Sequence, residues 1–260
     1  MPRFEPHPER RPTVVTGASS GIGEATARAI AAAGHPVALG ARRVERCEEI
    51  AASIRADGGD ALALGLDVAD ADSVKAFVAA ATEALGSVEI AVSGAGDLDA
   101  SLIHEQDSDA FQRAVDVHLV GTHRLVAEVV PGMVERKRGD VVFIGSDVVR
   151  APRPRVGGYV PAKSGVEAMA RTMQMELEGT GVRASIVRPG PTQTSMGMDF
   201  DESVAGPLIE DWARWGFARH PYFLRPSDIA NAVSTVVSLP RGVNMTLVEV
   251  EPEAPLAERG

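Results

Sequence analysis

The chain has 260 residues, 45% of them apolar and 24% charged, with a formal net charge of −10. That composition belongs to a soluble globular protein, large enough for one α/β domain or two small ones. The acidic balance argues against nucleic acid or an anionic membrane as the main partner. A single cysteine, Cys47, excludes an internal disulfide framework and fits a reducing cytoplasm.

The first residues, "MPRFEPHPERRP", are polar and Pro-rich, so residues 1–11 are expected to form a loose arm rather than a signal or an anchor. No run of about 18 apolar residues follows, so no membrane span is expected. Short β-rich runs then alternate with helical patterns. The runs are 13–17, 36–40, 61–68, 88–94, 140–146, 182–190 and 245–251. The helical patterns lie near 22–33, 43–57, 71–85, 107–136, 159–179 and 226–238. This β-α rhythm predicts an α/β fold, a Rossmann-like doubly wound sheet of about seven parallel strands with helices on both faces. No linker divides it, which gives one domain over 12–252 with a short tail at 253–260. Only 195–225 breaks the rhythm, as an insertion before the last helix.

The first chemical signal is "TGASSGIG" at 16–23, between the first strand and the first helix. Gly17 permits a tight turn, Gly21 lets backbone approach a pyrophosphate, and Gly23 lets helix pack on strand. Ser19, Ser20 and Ile22 complete a loop whose helix N-terminus offers free N–H groups to an anion. After the second strand comes Ala41, where an NAD-binding fold normally carries Asp or Glu for the ribose hydroxyls. Arg42 and Arg43 follow it, and two cations at a helix start invite an anionic partner such as a 2′-phosphate. The second signal is Tyr159 and Lys163, one helical turn apart in a chain with only two Tyr and three Lys. A cation one turn from a phenol is expected to lower its pKa from about 10 toward the useful range.

"TGASSGIG", "YVPAK" and "RPGPTQT" together resemble the short-chain dehydrogenase/reductases, in the single-domain form of about this length. The resemblance runs from Thr13 to about Pro252. It implies that Tyr159 is the general acid/base, that Lys163 holds the nicotinamide ribose, and that Ser146 holds the substrate oxygen. It also implies cofactor contacts from Asp67 and Val68, from Ser93, Gly94 and Ala95, and from Pro189, Gly190, Thr192 and Thr194. Two positions depart from the family pattern. His118 stands where an Asn normally anchors the proton-relay water, and Ser93 replaces the Asn of "NAG". His118 would be either a relay residue that titrates near 6.5 or a packed core histidine. Ser93 is expected to weaken a structural hydrogen bond.

The insertion 195–225 holds six of the eleven aromatics: Phe200, Trp212, Trp215, Phe217, Tyr222 and Phe223. It looks like a substrate lid over a hydrophobic ketone or alcohol. Arg150, Arg153 and Arg155 are read as solvated rim residues. The expected activity is NADP(H)-dependent oxidoreduction of a carbonyl/alcohol pair, with NAD a weaker cofactor. The alternative is a catalytically weak NADP-binding sensor or scaffold of the same fold. The resemblance implies a homotetramer or homodimer built on the long helices and the last strand. The six His and one Cys show no ligand spacing, so no metal site is expected.

Overall fold

The computed structural model describes residues 4–196, 200–217 and 220–254. The start of the expected arm, at 1–3, and most of the expected tail, at 255–260, lie outside the described residues. Seven strands form one parallel sheet: β1 (Thr13–Thr16), β2 (Val37–Ala41), β3 (Ala61–Gly65), β4 (Ile90–Ser93), β5 (Gly139–Ile144), β6 (Val182–Pro189) and β7 (Leu247–Val250). Their spatial order is β3-β2-β1-β4-β5-β6-β7. The order reverses between β1 and β4, and in sheets of this kind the crevice at that switch is where a ligand binds.

Among the described residues there are eight α-helices: α1 (Gly21–Ala32), α2 (Val44–Ala56), α3 (Ala71–Leu85), α4 (Ser108–Val115), α5 (Gly121–Glu135), α6 (Tyr159–Glu176), α7 (Glu202–Arg214) and α8 (Pro226–Ser238). Because strand side chains alternate, neighbouring residues feed opposite cores. Val15, Leu39 and Val142 pack with Ile30, Ile50 and Val233 from α1, α2 and α8. Val14, Ala38 and Val141 pack with Phe77, Leu125 and Val166 from α3, α5 and α6. Fully burying a side chain such as Phe77 or Leu125 is worth about 1.5–3 kcal/mol, so these two faces hold the strand ends in place.

Three local features depart from the sequence expectations. The helix expected over 107–136 is interrupted by a π turn, Asp116–Val120, an element that often marks functional positions. The insertion contains a helix of its own, α7. The N-terminal segment is tied down: Arg11 is buried, pairs with Asp140 and donates to the Val237 carbonyl at 2.7 Å. Among the described residues, no helix is long and apolar enough to cross a membrane.

Candidate active site

The glycine loop lies at the switch point. Gly17 has φ +71, and a Cβ there would sit 2.7 Å from the Gly94 carbonyl oxygen and 2.8 Å from Ala95 Cα. A Cβ on Gly23 would run into the Gly17 carbonyl. The loop is thus locked against the end of β4, whose Gly94 and Ala95 N–H groups both donate to Thr16 Oγ1 at 3.1 Å. Ser20 is the N-cap of α1, yet its hydroxyl makes no capping bond. The first turn of α1, with Ile22 in it, therefore keeps its N–H groups for an anion. On the far side, Thr194 packs against Gly21, and the Ser195 and Ser20 hydroxyls lie 3.2 Å apart. Thr192 is held by its own bond to the Gly190 carbonyl at 2.8 Å, just past Pro189 at the end of β6. This cradle fits a dinucleotide pyrophosphate.

On the adenosine side both arginines are exposed; Arg43 turns onto the loop, and its Nη2 donates to Ser19 Oγ at 3.1 Å and Ser20 Oγ at 3.0 Å. Arg43 is the guanidinium held in place there. Ala41 ends β2 with no carboxylate. Asp67 Oδ1 accepts from the Ala69 N–H at 2.9 Å, and Val68 packs against Gly121.

The four candidate catalytic side chains meet at the carboxyl end of the sheet. Ser146 follows β5, Tyr159 and Lys163 open α6, and His118 comes from the π turn. The Lys163 ammonium is 5.7 Å from the Tyr159 ring centroid, and the His118 ring meets Tyr159 edge-on at 5.0 Å. Lys163 donates to the Ile144 carbonyl at 2.8 Å. Burial brings its pKa down to about 8, with the charge of Glu167 acting in the other direction.

Tyr159 does not behave as expected from the Lys163 spacing. Burial pushes its phenol up to about 12, and what pulls it down is the Ser146 hydroxyl and the charge of Arg153. The ammonium is held by the Ile144 carbonyl, over the ring, and desolvation of the phenol is the larger effect.

His118 is buried, and burial pulls its pKa down to about 3, aided by the charge of Lys163. It therefore stays neutral, as the packed-histidine alternative requires, and does not titrate near 6.5. Its Nε2 lies 2.7 Å from the Asp97 carbonyl and 3.3 Å from the Asp97 N–H; the shorter contact favours the proton on Nε2, which leaves Nδ1 as an acceptor. Among the described residues, buried Nδ1 has no hydrogen-bond partner.

Ser93 also differs from expectation: its hydroxyl pairs with Thr122 Oγ1 at 2.7 Å, and Thr122 donates to the His118 carbonyl at 2.6 Å. The substitution keeps a hydrogen bond and supports the turn that carries His118.

Of the three arginines beyond Ser146, Arg150 stands on the exposed rim that was expected, whereas Arg153 and Arg155 are drawn inward. Arg150 bonds Glu249 and Glu251, Arg155 bonds Asp211 at 2.7 Å, and Arg153 pairs with buried Asp147. Arg153 also stacks on two rings of the insertion, Trp212 at 5.0 Å and Phe217 at 6.0 Å. Trp212 Nε1 donates to the Pro154 carbonyl at 3.0 Å. The insertion is thus pinned over the loop that carries Ser146, while Trp215, Tyr222 and Phe223 face solvent. Sequence reading missed Asp147; a lone acid beside Ser146, six residues before an Arg, was its only signal. Among the described residues, no cluster of His, Cys, Asp or Glu could hold a metal ion.

A family model described as short chain dehydrogenase matches residues 11–205. The chain is 38% identical over 240 residues to glycine betaine reductase ATRR of Emericella nidulans, covering 92% of this chain but only 18% of that protein. An alcohol dehydrogenase of the archaeon Thermococcus sibiricus, complexed with 5-hydroxy-NADP, superposes with a TM-score of 0.80 at 31% identity, covering 95% of this chain and all of that one (100%). A single-substitution variant of actinorhodin polyketide ketoreductase with NADPH gives 0.84 at 27% identity, covering 93% and 95%. Loop, strand order and Tyr/Lys helix agree with these matches: the chain belongs to the short-chain dehydrogenase family.

Proposed function

We propose that the protein is an NADP(H)-dependent oxidoreductase, transferring hydride between the nicotinamide and the carbonyl or secondary-alcohol carbon of a hydrophobic small molecule. The observation that carries this reading is the meeting of Ser146, Tyr159, Lys163 and His118 beside a glycine cradle at the switch point. NADP is favoured by the missing acid at Ala41, by Arg43 above the loop, and by the NADP-type ligands of the two solved relatives.

Bound NADP(H) supplies or accepts the hydride. The chain's own residues handle position and proton. Ser146 Oγ holds the substrate oxygen against Tyr159. A phenol pushed up to about 12 is protonated at neutral pH, so Tyr159 is ready to give its proton to a carbonyl oxygen as hydride arrives, which favours reduction. Lys163 orients the ribose and replenishes the phenol, with His118 Nδ1 as the acceptor that helps align the relay. The pinned insertion excludes water from the reacting carbon. We further propose a cytoplasmic homotetramer or homodimer formed through α5, α6 and β7, on which Val134, Met175 and Leu247 stand exposed; light scattering at micromolar concentration tests it, and a monomer would refute it.

NADPH oxidation against a panel of hydrophobic ketones tests the enzyme reading. Turnover with several of them is expected. Tight NADPH binding with no turnover on any would favour the sensor or scaffold instead.

A further inference from the structure

Behind Lys163 lies buried charge that the proposed chemistry does not use. On α6, Tyr159, Lys163 and Glu167 follow at four-residue spacing and share one face. Glu167 is 2% exposed and Lys163 6%. The Glu167 carboxylate accepts two bonds from Arg188, Nε to Oε1 at 2.9 Å and Nη2 to Oε2 at 2.6 Å. Arg188 is buried near the end of β6 and donates Nη1 to Glu249 Oε2 at 3.0 Å, the residue beside it in register on β7. Arg150, in the loop that carries Ser146, donates to Glu249 at 2.6 Å. One chain of charges therefore runs from the Ser146 loop through β7 and β6 to the Tyr159–Lys163 helix. Gly145, just before Ser146, is bare where the carboxylate enters: a Cβ there would lie 2.7 Å from Glu167 Oε1.

Stability does not account for this pair. Burying two charges costs several kcal/mol per ion before they attract, and apolar replacements of equal volume are often as stable. An apolar pair would lack one thing, a carboxylate one turn from an ammonium that burial disfavours. Arg188 is shared with Glu249, so it does not cancel Glu167 alone. The other groups facing the site are neutral His118 from the π turn, Asp147 and Arg153 beside Tyr159, and Arg171, 3.9 Å from Glu167 on the solvent side. Among the described residues, Glu167 is the one whose charge supports the Lys163 ammonium.

We propose that Glu167, clamped by Arg188, is a positioning residue for Lys163, its carboxylate one turn along the buried face of α6 supporting the ammonium that the Ile144 carbonyl holds beside Tyr159. This rests on the acid–base reading of Tyr159 and Lys163 above.

The test is the pH dependence of kcat/KM for NADPH-dependent ketone reduction in wild type, Glu167→Gln and the double variant Glu167→Gln/Arg188→Met. The double variant leaves no stranded guanidinium, so it stays measurable if the single variant folds poorly. The alkaline limb, which this proposal assigns to Lys163, is expected to move about one unit toward acid in Glu167→Gln, and by less in the double variant, which removes a cation together with the carboxylate. Glu167→Asp should restore most of that shift. A merely structural pair would lower the melting temperature and leave the limb in place, and an unmoved limb in a folded variant overturns the proposal. Tyr159→Phe, run in parallel, separates the two claims. Turnover retained there defeats the acid–base reading itself, whereas turnover lost with an unmoved Glu167 limb defeats this proposal alone.

Discussion

Two arginine–carboxylate clusters are anchored on the same strand, β6, at its opposite ends. At the amino end, Asp140 of β5 stands in register with Arg183 of β6 and accepts from it at 2.5 and 2.9 Å. Arg11 closes on the same carboxylate, and His7 caps the group between Arg183 and the Leu239 carbonyl. At the carboxyl end, Arg188 joins Glu167 and Glu249. The chemistry is alike and the surroundings are not. The first cluster binds the N-terminal segment and the turn after α8 to the sheet, far from any reacting atom. The second stands one helical turn from Lys163. Similar ion-pair chemistry thus carries different consequences, because parallel α/β sheets place their ligands at the carboxyl ends of the strands.

Breaking the amino-end cluster should cost the most and change the least chemistry. Asp140→Ala strands two guanidiniums and should destabilise the fold by about 3–5 kcal/mol, read by denaturant unfolding. Its kcat/KM where it remains folded should match wild type; a shifted pH profile there would erase the contrast between the two ends.

Acid sharpens the comparison further. His118, at the reacting end, has a folded pKa of about 3 against an ordinary 6.5, and His7, at the other, about 4. Both are bases depressed by burial, so the unfolded chain binds more protons between those values. Their contribution to stability is complete above about pH 6.5 and is lost as pH falls toward 3 to 4. Unfolding measured from pH 7 downward should show that slope, and His118→Asn should flatten it. An unchanged slope in that variant would place His118 in a more open environment than its packing shows.

The cofactor side gives a smaller, more specific effect. Arg43→Ala should lower the NADPH/NADH ratio of kcat/KM by roughly tenfold, the low end for a charge-assisted bond near solvent, while Arg42→Ala changes it less. Equal effects from the two would mean that the Ser19–Ser20 contact does not select the guanidinium. Smallest of all is the pin between loop and insertion. A double-mutant cycle on Arg155 and Asp211, both partly exposed, should give only about 0.2–1 kcal/mol of coupling.

How far the sequence foretold these regions follows from the kind of signal each residue carries. The strands and helices were legible because apolar periodicity is local, and α3 and α8 fall on the residues expected. The turn at Gly17 was legible because its positive φ needs glycine, and the Tyr159–Lys163 pair because two rare residue types stand one turn apart at the start of α6. Partners chosen across the fold were not. Arg43 rather than Arg42 depends on which way the start of α2 turns, and Arg11 reads as part of a polar arm until Asp140 is seen beside it. The π turn leaves no mark in the apolar pattern, yet it sets the burial of His118. Tyr159 was misjudged because spacing reports the nearness of Lys163 but not the desolvation that outweighs it. Arg188 did leave a signal: with Arg183 it is one of two charges in a strand of the buried sheet, where such strands run nearly unbroken in Val and Ile.

The most direct test of the whole account is Tyr159→Phe, with NADPH binding measured by fluorescence titration and ketone reduction measured on the same preparation. The substitution removes one hydroxyl and leaves the ring in its place against His118. NADPH affinity should stay within about twofold of wild type, because the cradle and Arg43 are untouched, and kcat should fall by about 10²–10⁴. Wild-type turnover in the variant would contradict the assignment of Tyr159 as the proton donor.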